Sequence, residues 1–176
     1  LSAMQIDGLV DLLKFDPAIE LSTTKDYIEL KSAIIDALGS DLDKKHVLQA
    51  FIAILIDKDN PEELRKKVVL HLISEDDSVA ADYLNTVLLD KETSENLKIE
   101  ILTCISSNIP DDTEALFKTN LSKLILNSEE SMTVRLRSTS KLKELGDFEI
   151  TDVEAVAYVG FVKDPNEDID LKIEVF

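Results

Sequence analysis

The chain has 176 residues, 44% of them apolar and 31% charged, with four Gly, four Pro, no Trp and one Cys. That balance belongs to a chain that folds around its own core, by default as a single domain, and not to a disordered one. A formal net charge of −17 opposes contact with a bare phosphate backbone or an anionic membrane surface, so nucleic acid and membrane are not expected and a protein or peptide partner, basic in character, is.

The chain opens with "LSAMQIDG", which lacks the basic and apolar regions of a signal peptide. No apolar run approaches the roughly 20 residues needed to cross a bilayer. A cytoplasmic or nuclear setting is the expectation. "MQIDGLVDLLKF" (Met4–Phe15) reads as a first helix interrupted by Gly8, and "DPAIELSTTKD" (Asp16–Asp26) as an irregular connection. "LKSAIIDAL" from Leu30 then places apolar residues at its first, fifth and ninth places, one stripe of a helix. "DLDKKHVLQAFIAILID" (Asp41–Asp57) follows, with its stripe at Val47, Leu48, Phe51, Ile52, Leu55 and Ile56. Further along come "LRKKVVLHL" from Leu64, "SVAADYLNTVLLD" (Ser78–Asp90) and "LKIEILTCI" from Leu97. "DTEALFKTNLSKLILN" (Asp112–Asn127), "VRLRSTSKL" from Val134, "TDVEAVAYVGFVKD" (Thr151–Asp164) and "LKIEVF" from Leu171 complete the series.

The segments opening at Asp41, Ser78, Asp112 and Thr151 start on a residue that can cap the free N–H groups of a first helical turn. Pro17, Pro61, Pro110 and Pro165 all fall at predicted boundaries. Gly39 and Gly146 stand where a left-handed residue would end a helix.

Every second segment is a copy of one pattern. The copies start at Leu30, Leu64, Leu97, Val134 and Leu171, in steps of 34, 33, 37 and 37 residues, and each start is followed at once by a base: Lys31, Arg65, Lys98, Arg135 and Lys172. The fifth and sixth places are apolar except in the fourth copy, which carries Ser138 and Thr139. Periods of this length belong to stacked helix pairs. The repeats run roughly over 1–39, 40–74, 75–109, 110–146 and 147–176.

This pattern resembles the HEAT repeats and the related armadillo repeats over nearly the whole chain. The resemblance implies an all-α fold: a right-handed α-solenoid superhelix of about five antiparallel helix pairs. It also implies that the base of each second helix pairs across the stack with an acid in the turn about six residues upstream. Those places hold Lys25, Asp59, Glu92, Glu129 and Asn166, so three of the five are acidic. The irregular first connection makes repeat one an atypical cap. A start without Met and a stripe running to Phe176 lead to the expectation of a longer parent chain, or of flanks outside this sequence.

The basic column has two readings, internal ties between repeats or a ladder for an acidic ligand. The second helices of such solenoids line the concave, partner-facing surface. The fourth place (Ala33, Lys67, Glu100, Arg137, Glu174) and the eighth (Ala37, His71, Cys104, Lys141) point away from the stripe. The expected protein-binding residues are therefore Lys67, His71, Glu100, Arg137 and Lys141. No catalytic residue, cofactor or metal ligand is assigned. "DPNEDID" (Asp164–Asp170) spaces its oxygens like an EF-hand, but Ile169 and Val175 stand where the loop needs Gly and a bidentate Glu, so a capped turn is the better reading. Cys104, in "ILTCIS", reads as a small buried residue, and one Cys permits no internal disulfide. His46 and His71 lie on different predicted helices, and no phosphate loop or G-x-S-x-G is present. The expectation is a non-catalytic scaffold or adaptor. The alternatives are an enzyme or cofactor-handling solenoid built around His71, Cys104 and nearby carboxylates, and a structural spacer of a larger protein.

Overall fold

A computed structural model describes residues 1–15, 24–73, 78–105, 111–146 and 151–175. Among them all regular structure is helical, in ten α-helices: α1 (Ala3–Lys14), α2 (Lys25–Leu38), α3 (Lys45–Ile56), α4 (Glu62–Leu72), α5 (Ser78–Leu89), α6 (Glu95–Cys104), α7 (Asp111–Leu126), α8 (Met132–Glu144), α9 (Asp152–Lys163) and α10 (Ile169–Val175). A single 3-10 turn, Gly39–Asp41, follows α2. Each helix falls on one of the apolar stripes. Most of Asp16–Asp26 and of "EDDS" (Glu75–Ser78), with Pro17 and Pro110, lies outside the described residues.

The starts are set by side chains. Ser2, Thr24, Ser94, Ser131 and Thr151 each accept a hydrogen bond from a backbone N–H of the first turn, and Asp168 accepts from Asp170 and Leu171. Ser2 and Thr151 complete capping boxes with Gln5 and Glu154. Each cap is worth about 1 kcal/mol. Gly8 does not break α1, which runs through it.

The turn inside a pair is the same object four times. Asp57, Asp90, Asn127 and Asp164 each accept, through the side chain, the N–H two residues on. Their carbonyls accept the N–H three residues on, at Asn60, Thr93, Glu130 and Glu167. This is an Asx turn, which fixes the reversal locally before any packing is considered. It also accounts for the EF-hand-like spacing, since Asp164 makes the turn and Asp168 caps α10.

The chain divides into two compact units, residues 1–84 and 85–176, with the boundary inside α5. In the first, α1 packs on α2 and α3 on α4, while α1 meets α3 and α2 meets α4. Its core includes Ile6, Leu13, Ile35, Phe51, Leu55 and Val69, all essentially inaccessible. In the second, α7 packs on α8, α7 meets α9, and α8 lies against both α6 and α10. Leu97, Ile101, Phe117, Leu121 and Leu171 fill that core. Within each unit, first helices thus stack on first helices and second on second. Burying each Leu or Ile contributes about 1.5–3 kcal/mol, which makes the apolar stripes the main source of stability.

The two glycines expected to end helices differ. Gly146 has φ +79°, the left-handed conformation that closes α8. Gly39 is right-handed, φ −57°. Its reason is space: a Cβ there would lie 2.3 Å from Nδ1 of His71, whose ring covers the glycine.

Candidate functional site

The basic column is internal. Lys31, Arg65, Lys98 and Arg135 are all buried despite their charge. Lys31 donates to the carbonyls of Leu13 and Phe15, at 2.5 and 2.9 Å. Arg65 Nε donates to Leu55 O and Arg135 Nε to Ile125 O, both at 2.9 Å, and Lys172 donates to Asp164 O. These carbonyls end the first helix of each pair, where the helix leaves acceptors unpaired and its dipole favours a cation. The base therefore closes its own pair.

Two bases of the column, Lys98 and Arg135, tie one pair to the next. Lys98 pairs with Glu130, and Arg135 Nη1 lies 2.8 Å from Glu167 while its guanidinium sits 5.6 Å from the Phe161 ring centre. Each acid lies 32 residues beyond its base. It stands five residues before the next base, not six as expected, because the Asx turn directs its fourth residue inward. Glu129, the residue the six-residue rule selects, instead pairs at the surface with Lys91.

The fourth-place residues form a different kind of row. Lys67 Nζ lies 2.8 Å from Asp36 on the neighbouring second helix, and His71 Nε2 lies 3.4 Å from the same carboxylate. The hydrogen bond from Lys67, with a further one from His71, holds the Asp36 carboxyl below its usual value of 3.8. Arg137 Nη2 reaches Thr103 Oγ1 at 3.3 Å. In both cases the fourth place of one second helix touches the seventh place of the preceding one. Glu174 meets Lys143 at 3.3 Å in the same direction. Asp36 and Thr103 were not selected by sequence reasoning. The signal was present, however: polar residues at the seventh place of one copy and bases at the fourth place of the next.

The eighth place does not face outward as a set. Lys141 is buried; its ammonium donates to Ile105 O at 2.9 Å and pairs with Glu144. Spacing alone places it on the outer side of α8, but the unpaired carbonyl ending α6 draws the long stem inward. His71 makes an edge contact with Phe51, ring centres 5.9 Å apart. Cys104 is half-buried and donates towards Glu100 at 3.6 Å. Burial, reinforced by the Glu100 carboxylate, pushes the thiol up to about 11, so it is protonated at neutral pH and a poor nucleophile. Of the five residues expected to bind protein, the structure gathers Lys67 and His71 around Asp36. It leaves Glu100 beside Cys104 and Arg137 beside Thr103, and takes Lys141 into the interior.

No cluster of three or more His, Cys, Asp or Glu suited to a metal occurs among the described residues, and no helix among them is long and apolar enough to cross a membrane. No family model matches this chain, and no curated protein matches it. What the residues themselves define is an all-α chain of helix pairs, tied within and between pairs by a column of buried bases.

Proposed function

We propose that the chain is a HEAT-like right-handed solenoid of about five helix pairs, serving as a non-catalytic scaffold that binds a protein or peptide along its second helices. One observation carries this reading. Lys31, Arg65, Lys98 and Arg135 are buried, while Lys67, Glu100 and Arg137 remain partly exposed along the second helices and engage only single side chains there, so their polar groups stay accessible. Such a surface is preformed and costs little ordering on binding. The net charge of −17 favours a basic partner in the cytoplasm or nucleus.

The test is photo-crosslinking from single positions. Crosslinkers at Lys67, Glu100 and Arg137 should capture one common partner, whereas crosslinkers at Gln49 and Ala115, exposed on first helices, should not. Equal capture from both sets, or capture from the first helices alone, overturns the reading.

A further inference from the structure

Glu100 and Arg137 hold the same place, the fourth, on α6 and α8, two second helices that pack on each other in the second unit. Opposite charges so placed can join, and here they do not. Glu100 receives only the thiol of Cys104, one turn on in its own helix, at 3.6 Å. Arg137 leans past Glu100 to Thr103, one turn further along α6, where Nη2 meets the hydroxyl at 3.3 Å. Neither makes an ion pair among the described residues, and Arg137 Nε, though buried, has no acceptor among them. Both side chains remain partly exposed.

The third second helix of the unit, α10, packs on α8 and carries Glu174 at its fourth place. Its side chain, 45% exposed, meets Lys143, 50% exposed, at 3.3 Å. A pair this exposed is worth little and exchanges readily with water or a ligand. Across α6, α8 and α10 the fourth place therefore reads acid, base, acid. The first unit differs, since Lys67 spends its charge on Asp36 at 2.8 Å and α2 has Ala33 at that place.

Packed helices stand about 8–10 Å apart, so the row changes sign at roughly that interval. A ligand that answers it must carry alternating charges at the same interval and on one side. A β-strand rises about 3.3 Å per residue, so residues three apart span the distance but point to opposite faces. Polyproline II rises about 3.1 Å per residue with about three residues per turn, which brings every third side chain to the same side about 9 Å on. Such a segment is already extended, and binding orders little of it.

We infer that α6, α8 and α10 take a polyproline II segment of a partner protein, with base, acid and base at every third residue set against Glu100, Arg137 and Glu174. This rests on the scaffold reading and names the partner's chemistry. The segment is net basic, in keeping with a chain of net charge −17.

Fluorescence anisotropy with labelled synthetic peptides tests this on the whole chain. Lys-Pro-Pro-Glu-Pro-Pro-Lys should bind about tenfold more tightly than Pro-Pro-Lys-Glu-Lys-Pro-Pro, which has the same composition with its charges adjacent. It should also outbind Lys-Pro-Pro-Lys-Pro-Pro-Lys about tenfold, although net charge alone favours the latter. Arg137→Glu, verified as folded by circular dichroism, should reverse that second order, a gain that misfolding cannot produce. Equal affinity for the spaced and adjacent charges overturns the inference. So does an order of preference that Arg137→Glu leaves unchanged, or no binding up to about 1 mM. A partner captured by crosslinkers at Lys67, Glu100 and Arg137 that the spaced peptide does not displace overturns this inference and leaves the scaffold reading standing. Equal capture from the first helices overturns the scaffold reading whatever the peptides do.

Discussion

The tie between Arg135 and Glu167 tests the inter-pair column most directly. Both side chains are buried, 4% and 10% exposed, so neither charge is well hydrated if the other is removed. Replacing Glu167 by Ala leaves a guanidinium that keeps its bond to Ile125 O and its place near Phe161. The expected cost is about 2–3 kcal/mol, at or just below the range for breaking a buried pair, since Glu167 retains some solvent access. Arg135→Met keeps most of the stem volume but also leaves Ile125 O without its donor, adding about 1–3 kcal/mol. The double variant should then cost clearly less than the sum of the singles, with a coupling of about 1.5–3 kcal/mol. Urea unfolding followed by far-UV circular dichroism measures all four proteins, provided their slopes agree. A coupling below about 0.5 kcal/mol, the value of an exposed pair, would refute the claim that this column joins successive pairs.

Gly39→Ala should destabilise by about 1–3 kcal/mol through overlap with the His71 ring, and His71→Ala in the same chain should recover most of that loss, as read by thermal melting. Ser138, fully buried, has a hydroxyl with no hydrogen-bond partner among the described residues and sits at a place that is Ile34, Val68 or Ile101 in other copies. Ser138→Ala should therefore raise stability, by about 0.5–1 kcal/mol in chemical denaturation; a loss of that size would mean the hydroxyl is bonded. Cys104, with its thiol pushed up to about 11, should alkylate at pH 8 about a hundredfold more slowly than an ordinary thiol. Labelling at the ordinary rate would contradict the burial assigned to it.

The helices were legible because their stripes, caps and turn residues agree at every copy: Ser94 and Ser131 cap, Asp57 and Asp90 turn, and the apolar places recur. The base column was legible as a repeated feature, but its partner was misplaced by one residue. A six-residue rule counts along the chain, whereas the acid is chosen by which residue of the Asx turn points inward. Lys141 shows a second limit. Helical spacing gives the angle at which a side chain leaves the axis, but not the nearby carbonyl at Ile105 that turns a surface lysine into a buried one. Gly39 shows a third, since its partner His71 lies 32 residues on and nothing local announces the contact.

The two kinds of tie found in the base column, both made by Arg135, also differ in how much chain they must close. Arg65 and Arg135 reach carbonyls ten residues back, while Lys98 and Arg135 reach carboxylates 32 residues ahead. The longer closure costs roughly 1 kcal/mol more in chain entropy. A helix pair is therefore the cheaper thing to form, and within each unit the pairs held by Lys31, Arg65, Arg135 and Lys172 can shut before they meet a neighbour. Opening should follow the reverse order, a pair parting from its neighbour as a hairpin before its own turn is lost.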